Sequence, residues 1–302
     1  MHPPQISVVA ILKGEEDFVE EWIAYHRIMG VAHFFLYDNH PDTPLSKLPA
    51  AYSKFVTVIP WSEPQPHING RNIQVKAYMD SLGRIQTKWV TFIDGDEFIV
   101  INRHSDLSNF LSNFADAGAV LLAWRLFGHC GFFSTPPGLI TASLLRRRAA
   151  PSRQFKAITQ VAAIDSIESV HSCVLKAGWA TFDADHQEFS PERVPLVSNA
   201  AHINHYMCRS FESWMERASR GCTHFNENNC PPEARWRLDA EGCLRQFVSI
   251  TKDWNEQVDE TMLKYTNSIE AFIHRMRNGD RPLDLGSILP PRLLASVGVK
   301  EH

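Results

Sequence analysis

The stretch Trp89-Val90-Thr91-Phe92-Ile93-Asp94-Gly95-Asp96-Glu97-Phe98 decides how this chain is read. Its opening residues have the aromatic and β-branched composition of a strand buried on both faces, and they run straight into three carboxylates. Carboxylates at the end of an apolar strand are costly to hold unless something neutralises them. In extended backbone, residues i and i+2 point the same way, so Asp94 and Asp96 can face one ion. Gly95 between them allows close approach of backbone or ligand. Hard divalent cations take carboxylate and phosphate oxygens, and enzymes hold them to act on phosphate-bearing substrates. The stretch therefore predicts an enzyme for a nucleotide-activated substrate. An EF-hand loop is excluded, because its Asp/Asn, Gly and distal Glu positions are not filled.

Working outward, the chain alternates strand and helix. Ile6 to Leu12 is a continuous apolar run of strand length, and Phe18, Trp22, Tyr25, His26 and Met29 follow at helical spacing up to Gly30. Val31 to Tyr37 and Phe55 to Ile59 read as further strands, and residues from Asn72 to Arg84 as a helix. This alternation predicts an α/β domain with a mostly parallel sheet flanked by helices. Lys13, Asp38 and Asp94 each stand just past a predicted strand's carboxyl end, where ligands of such sheets bind. Further on, Asp106 to Phe114 reads as a helix, Ala119 to Trp124 as a strand, and Phe211 to Arg220 as an amphipathic helix. After Pro231-Pro232 the chain turns helical and polar.

The chain has 302 residues, 44% of them hydrophobic, and a formal net charge of −4. That balance argues against a nucleic-acid partner, which would call for a basic excess. No apolar run reaches the length of a membrane span, and Met1-His2-Pro3-Pro4 lacks the features of a signal peptide. The expected location is cytoplasmic.

With these blocks laid out, the sequence resembles glycosyltransferase family 92 and the related family 2-like enzymes of the GT-A fold. The resemblance rests on Lys13-x-Glu15, Glu21-Trp22-Ile23-x-Tyr25-His26, Gly30-Val31-x-His33-Phe34-Phe35-Leu36-Tyr37-Asp38-Asn39 and Phe92-Ile93-Asp94-x-Asp96-Glu97-Phe98. Trp124-Arg125-Leu126-Phe127-Gly128 and Asn204-His205-Tyr206 continue it in the same order, so that it covers roughly residues 6 to 221. It implies a GT-A domain over residues 1–230 and a helical C-terminal extension, 231–302, packed on it. It also implies a metal-dependent, inverting transfer of a sugar from a nucleotide-diphosphate donor to a hydroxyl of a glycan or glycolipid acceptor. A membrane-bound acceptor would place the chain at the inner face of the membrane. The tail after Pro232 is the candidate surface for a homo-oligomer or for the acceptor.

Carried over residue by residue, the resemblance puts Lys13 and Glu15 near the nucleotide, with Gly14 where the family commonly has Asn. Asp38 corresponds to the contact with base or ribose. Arg71 and Gln74 approach the donor. Arg125, by its own chemistry, is a candidate wall of the donor or acceptor site, countering phosphate or carboxylate charge. Asp94 and Asp96 correspond to the pair holding Mn2+ or Mg2+, and His202 and His205 are both candidates to complete the metal shell, His205 being favoured. A carboxylate or an imidazole must take the acceptor proton. Asp183, Asp185 and Glu168 lie in the region that supplies it, and Asp183 is favoured. Two other readings compete. A sugar nucleotidyltransferase would show a Gly-rich phosphate loop after the first strand, and Lys13-Gly14-Glu15 is not one. A non-catalytic carbohydrate-binding descendant of a transferase would be expected to have lost the acidic pair.

Overall fold

The apolar runs become strands where the pattern places them, in a computed structural model that describes residues 5–40, 42–61, 73–194, 196–219 and 240–279. β1 (Ile6–Leu12), α1 (Val19–Ile28), β2 (His33–Asp38), β3 (Val56–Pro60), α2 (Ile73–Ser81) and β4 (Trp89–Phe92) follow in order. Then come β5 (Glu97–Ile101), α3 (Leu107–Leu111), β6 (Ala117–Leu126), α4 (Ile140–Ser143), β7 (Arg146–Arg147), β8 (Phe155–Gln160), β9 (Ile164–Ser166) and β10 (Val174–Leu175). β11 (Ala180–Asp183), β12 (Ala201–His205), α5 (Phe211–Ser219), α6 (Ala240–Thr251), β13 (Gln257–Val258) and α7 (Thr266–Asn278) complete the described chain. Among the described residues, no helix is long and apolar enough to cross a membrane.

Nine strands make one sheet in the order β3-β2-β1-β4-β8-β6-β12-β5, with β11 also paired to β6. β3, β2, β1 and β4 are parallel. Beyond β4 the directions mix: β8 is antiparallel to β4 and β6, and β5 is antiparallel to β12. The expectation of a mostly parallel sheet is corrected here to a mixed one. β4 ends at Phe92 and β5 begins at Glu97, too short an interval for the dozen or more residues of a parallel crossover. The chain therefore leaves β4 at the acidic turn and joins the sheet again at its far edge.

One face of β1 (Ile6, Val8, Ala10) shares a core with Trp22 and Ile23 of α1 and with Ile269, Phe272 and Met276 of α7. Val9 on the other face packs with Val75 and Tyr78 of α2. α7 falls in the segment read as an extension, yet it fills the same core as the first strand.

The edge position of β5 explains the Glu21–His26 block. An edge strand leaves backbone groups unpaired, and α1 satisfies three of them. Trp22 Nε1 donates to the Glu97 carbonyl and Tyr25 Oη to the Ile99 carbonyl, both at 2.8 Å. The Ile99 N–H donates to His26 Nε2 at 3.2 Å. Glu21 accepts from the Ile140 and Thr141 N–H groups and from Thr141 Oγ1, holding the start of α4.

His26 is fully buried, and its Nδ1 lies 2.9 Å from the Trp22 carbonyl oxygen. The network thus assigns the proton to Nδ1 and keeps the ring neutral. Burial pushes its pKa from 6.5 to about 3, the bond to Trp22 working weakly the other way. Between those values the unfolded chain binds a proton that the folded chain refuses. Stability is therefore lost as pH falls from about 6.5 toward 3, by up to about 1.4 kcal/mol per pH unit. Urea midpoints measured in steps from pH 7 downward should fall accordingly, and His26→Gln should flatten the decline.

Gly128 ties the C-terminal segment to β6. A Cβ there would lie 2.4 Å from Asn255 Oδ1 and 2.5 Å from the Trp254 carbonyl oxygen. Asn255 Oδ1 also accepts the Cys130 N–H at 2.8 Å. Gly128→Ala is expected to cost about 1–3 kcal/mol. Hydrogen exchange should quicken selectively around Trp254 and Asn255.

Candidate functional site around the acidic turn

The turn from β4 to β5 is closed by the Glu97 N–H donating to the Asp94 carbonyl at 3.1 Å. It is pinned on one side by β1, where the Ile93 N–H meets the Val9 carbonyl, and on the other by the Tyr206 N–H, which donates to the Asp96 carbonyl. Gly95 is required by contact: a Cβ there would sit 2.6 Å from both Leu12 Cδ2 and Glu15 Oε2. Glu15 is thereby brought against the turn.

Asp96 is buried, with Oδ1 3.3 Å from His205 Nε2. The β12–β5 register makes the pair by setting His205 opposite Glu97. Burial works to lower the His205 pKa. The charges of Asp96, then Glu97 and Asp94, outweigh it and raise the value. The Trp124 ring covers the imidazole, centroid to centroid 4.3 Å.

Asp94 has different partners. Gln74, in the first turn of α2, donates to its Oδ1 and also to Tyr78 Oη. Lys156 of β8 is 1% exposed, with Nζ 3.3 Å from Asp94 Oδ2 and 3.5 Å from Glu97 Oε2. Nζ also donates to the Val170 carbonyl at 3.1 Å. Burial disfavours the ammonium, but Asp94 and Glu97 together hold it charged. Glu97 accepts the Asp94 N–H at 2.8 Å. Its carboxyl is pushed up to about 7, by burial first and then by Asp94, against the pull of Lys156. Three carboxylates thus face one lysine and one histidine.

The remaining expected residues lie elsewhere. Lys13 is exposed just past β1. Asp38 is fully buried and folds the loop after β2, accepting the Leu45 N–H at 2.9 Å and the His40 N–H at 3.3 Å. Arg71 lies outside the described residues. Arg125 follows Trp124 on β6, so the pleat turns it to the other face, away from His205. Its guanidinium lies 3.6 Å from Asp259 and donates to the Ser198 carbonyl. Asp183 caps its own turn, accepting the N–H groups of Asp185 at 3.0 Å and Gln187 at 2.9 Å. Asp185 in turn meets Arg103, beyond the end of β5 opposite to Glu97. The structure therefore does not bring Arg125 or Asp183 to the acidic turn. As sequence, Lys156 stands with Trp124 and Arg125 as a candidate wall of the donor or acceptor site, and its pairing with Asp94 and Glu97 is not legible. The signal was a lone lysine inside Phe155-Lys156-Ala157-Ile158-Thr159, a strand otherwise fit for burial.

Two carboxylates and an imidazole are suitable donors for Mn2+ or Mg2+. His205 Nδ1 is buried with no hydrogen-bond partner, and Nε2 already faces Asp96. Among the described residues, no three His, Cys, Asp or Glu side chains close on a common point. The donor chemistry fits a divalent cation, with Asp94 turned toward Lys156 and Gln74.

Comparison with known proteins bears on what such an arrangement serves. A glycosyltransferase family 92 protein of Oryza sativa subsp. japonica is 26% identical over 282 residues, covering 90% of this chain and 44% of its own. Another, from Arabidopsis thaliana, is 25% identical over 233 residues, covering 72% of this chain and 37% of its own. The chain thus spans less than half the length of these curated relatives. Among solved structures, a mannosyltransferase from Pyrobaculum calidifontis in complex with GDP-Man and Mn2+ is similar at a TM-score of 0.39. Its identity is 12%, over 98% of this chain and 74% of that one. Glucosyl-3-phosphoglycerate synthase from Mycobacterium tuberculosis is similar at 0.29, with 13% identity over 63% of this chain and 74% of that one. The family model described as Glycosyltransferase family 92 matches residues 9–241, a span that holds β4, the acidic turn, β6 and β12 together. On that match, the chain belongs to glycosyltransferase family 92.

Proposed function

We propose that this chain transfers a sugar, with inversion, from a nucleoside-diphosphate donor to a hydroxyl of a glycan or glycolipid, as a metal-dependent enzyme of the GT-A type. The observation that carries this reading is the Asp94-Gly95-Asp96 turn, set between β1 and β12 with His205 beside Asp96. Asp94, Asp96 and His205 would hold the cation. When bound, such an ion neutralises the donor's diphosphate and takes up charge as the nucleoside diphosphate leaves.

The chain's own residues prepare that place. Gln74 and Lys156 fix the Asp94 carboxylate, and the Glu97 side chain fixes its backbone N–H. Trp124 shields the His205 ring from water on one side. Lys156 keeps a positive charge beside the turn, where a departing diphosphate would need one.

The test is direct. The protein is incubated with a panel of nucleotide sugars, with Mn2+ or with a chelator, and free nucleoside diphosphate is measured. Release or donor binding that needs the metal and disappears in Asp94→Asn supports the reading. Absence of both release and binding with every donor would overturn it, and so would formation of a nucleotide sugar from a sugar phosphate, the nucleotidyltransferase outcome.

A further inference from the structure

We propose that a cleft on the other face of the sheet, between β6, β7 and β12, binds a small oxyanion: the phosphate of a sugar phosphate or the carboxylate of an acidic sugar. This site is separate from the one that carries the proposed transfer and does not depend on it. The cleft encloses about 230 Å³, below the roughly 300–1,000 Å³ of drug-sized sites and in keeping with a single sugar-sized anion. Arg125, Arg147, Arg148, His202 and Gln257 are among the residues that line it.

Charge favours an anion there. Arg125 and Arg147 share one carboxylate, Asp259, at 3.6 and 2.7 Å, and Arg148 meets Asp253 at 2.7 Å. The charged side chains of the lining are the three guanidinium groups of Arg125, Arg147 and Arg148, while Asp259, Asp253 and Glu256 pair with them or with the Ala149 N–H from outside it. A guanidinium keeps its charge and offers five donors in a planar fork. Asp259 takes one nitrogen of each fork and a backbone carbonyl another, Arg147 Nη1 donating to the Arg148 carbonyl at 2.9 Å and Arg125 Nη2 to the Ser198 carbonyl at 3.4 Å, which leaves further N–H donors on both.

The second, independent observation is His202. It is 2% exposed, and beyond a weak approach to Asn204, whose Oδ1 is equally unsatisfied, neither ring nitrogen completes a well-formed hydrogen bond. Buried polar groups are normally satisfied, so an unpartnered imidazole on the wall of a basic cleft points to a ligand that supplies the acceptor. The ring is held neutral, its pKa pushed down to about 3 by burial and by Arg125 and Arg147, with Asp259 and Asn204 acting the other way. A neutral imidazole donates from one nitrogen, as an oxyanion requires.

The experiment uses the full chain with no nucleotide sugar present, so failure of the transfer reading leaves it unaffected. The imidazole signals of 15N-histidine-labelled protein are followed by NMR while inorganic phosphate, glucuronate or neutral glucose is added. His202 is assigned by comparison with His202→Gln, and affinities are measured by calorimetry. A saturable shift of His202 with phosphate alone supports a phosphate ester, and with glucuronate alone a sugar carboxylate. A shift with both supports the shared chemistry. Gln257→Glu places a negative charge at an exposed position on the wall and should weaken binding about tenfold, whereas Gln257→Asn should leave it unchanged. No His202 shift with either anion, an equal shift with glucose, or undiminished binding to Gln257→Glu would each overturn the proposal.

Discussion

Asp96→Asn is expected to slow release of nucleoside diphosphate by about a hundred- to a thousandfold while the chain stays folded. The substitution keeps the side chain's volume in a place that is 1% exposed, so packing around Tyr206 and His205 is retained. It removes the charge that stands 3.3 Å from His205 Nε2. An amide is a poor ligand for a hard cation beside a carboxylate, and its Nδ2 would compete as a donor with the imidazole. Steady-state release of nucleoside diphosphate gives the rate, and a thermal melt verifies folding. A rate within tenfold of the parent, in a folded variant, would remove Asp96 from the proposed machinery.

Lys156→Met carries the largest expected loss of stability. Lys156 and Glu97 are almost completely enclosed, and Asp94 is about a third exposed. Removing one partner of a buried ion pair leaves an uncompensated charge, at a cost of about 3–5 kcal/mol. Methionine matches the stem of the lysine in length, so most of the loss is electrostatic rather than a cavity. Chemical denaturation should show the midpoint dropping with the slope preserved. Combining Lys156→Met with Glu97→Gln should recover part of the loss, because the groups interact directly. Strictly additive losses would mean that the lysine's role is one of packing.

The first half of the sheet was legible because each of its strands is an uninterrupted apolar run. β5 and β12, which both contribute to the site, do not announce themselves as strands in the sequence. In β12, Ala201-His202-Ile203-Asn204-His205 alternates small or apolar residues with polar ones that are all buried. That alternation imitates a half-exposed strand or a polar loop, and only pairing with β5 and β6, far off in sequence, shows otherwise. β5 was hidden by its nearness to β4. The acidic pair itself was legible because a carboxylate run after a buried strand is anomalous within a few residues. The surroundings of Arg125 and Asp183 are not legible for the opposite reason: what each side chain faces depends on the pleat of β6 and on a local turn. Lys156 needed a partner 62 residues away to acquire meaning.

The cover that α1 gives to β5 has a consequence for how the protein is made. The Trp22 bond to Glu97 bridges 75 residues of chain, and the opposite side of β5 waits for β12 at Ala201–His205. A nascent chain emerging from the ribosome therefore carries the acidic turn on a strand with one bare edge until more than a hundred further residues have been synthesised. Contacts of such long sequence separation close slowly, and an unpaired apolar edge is prone to self-association. Fragments ending between β5 and β12 should collect as aggregates, and a helper that shields β5 during synthesis would raise the yield of folded enzyme.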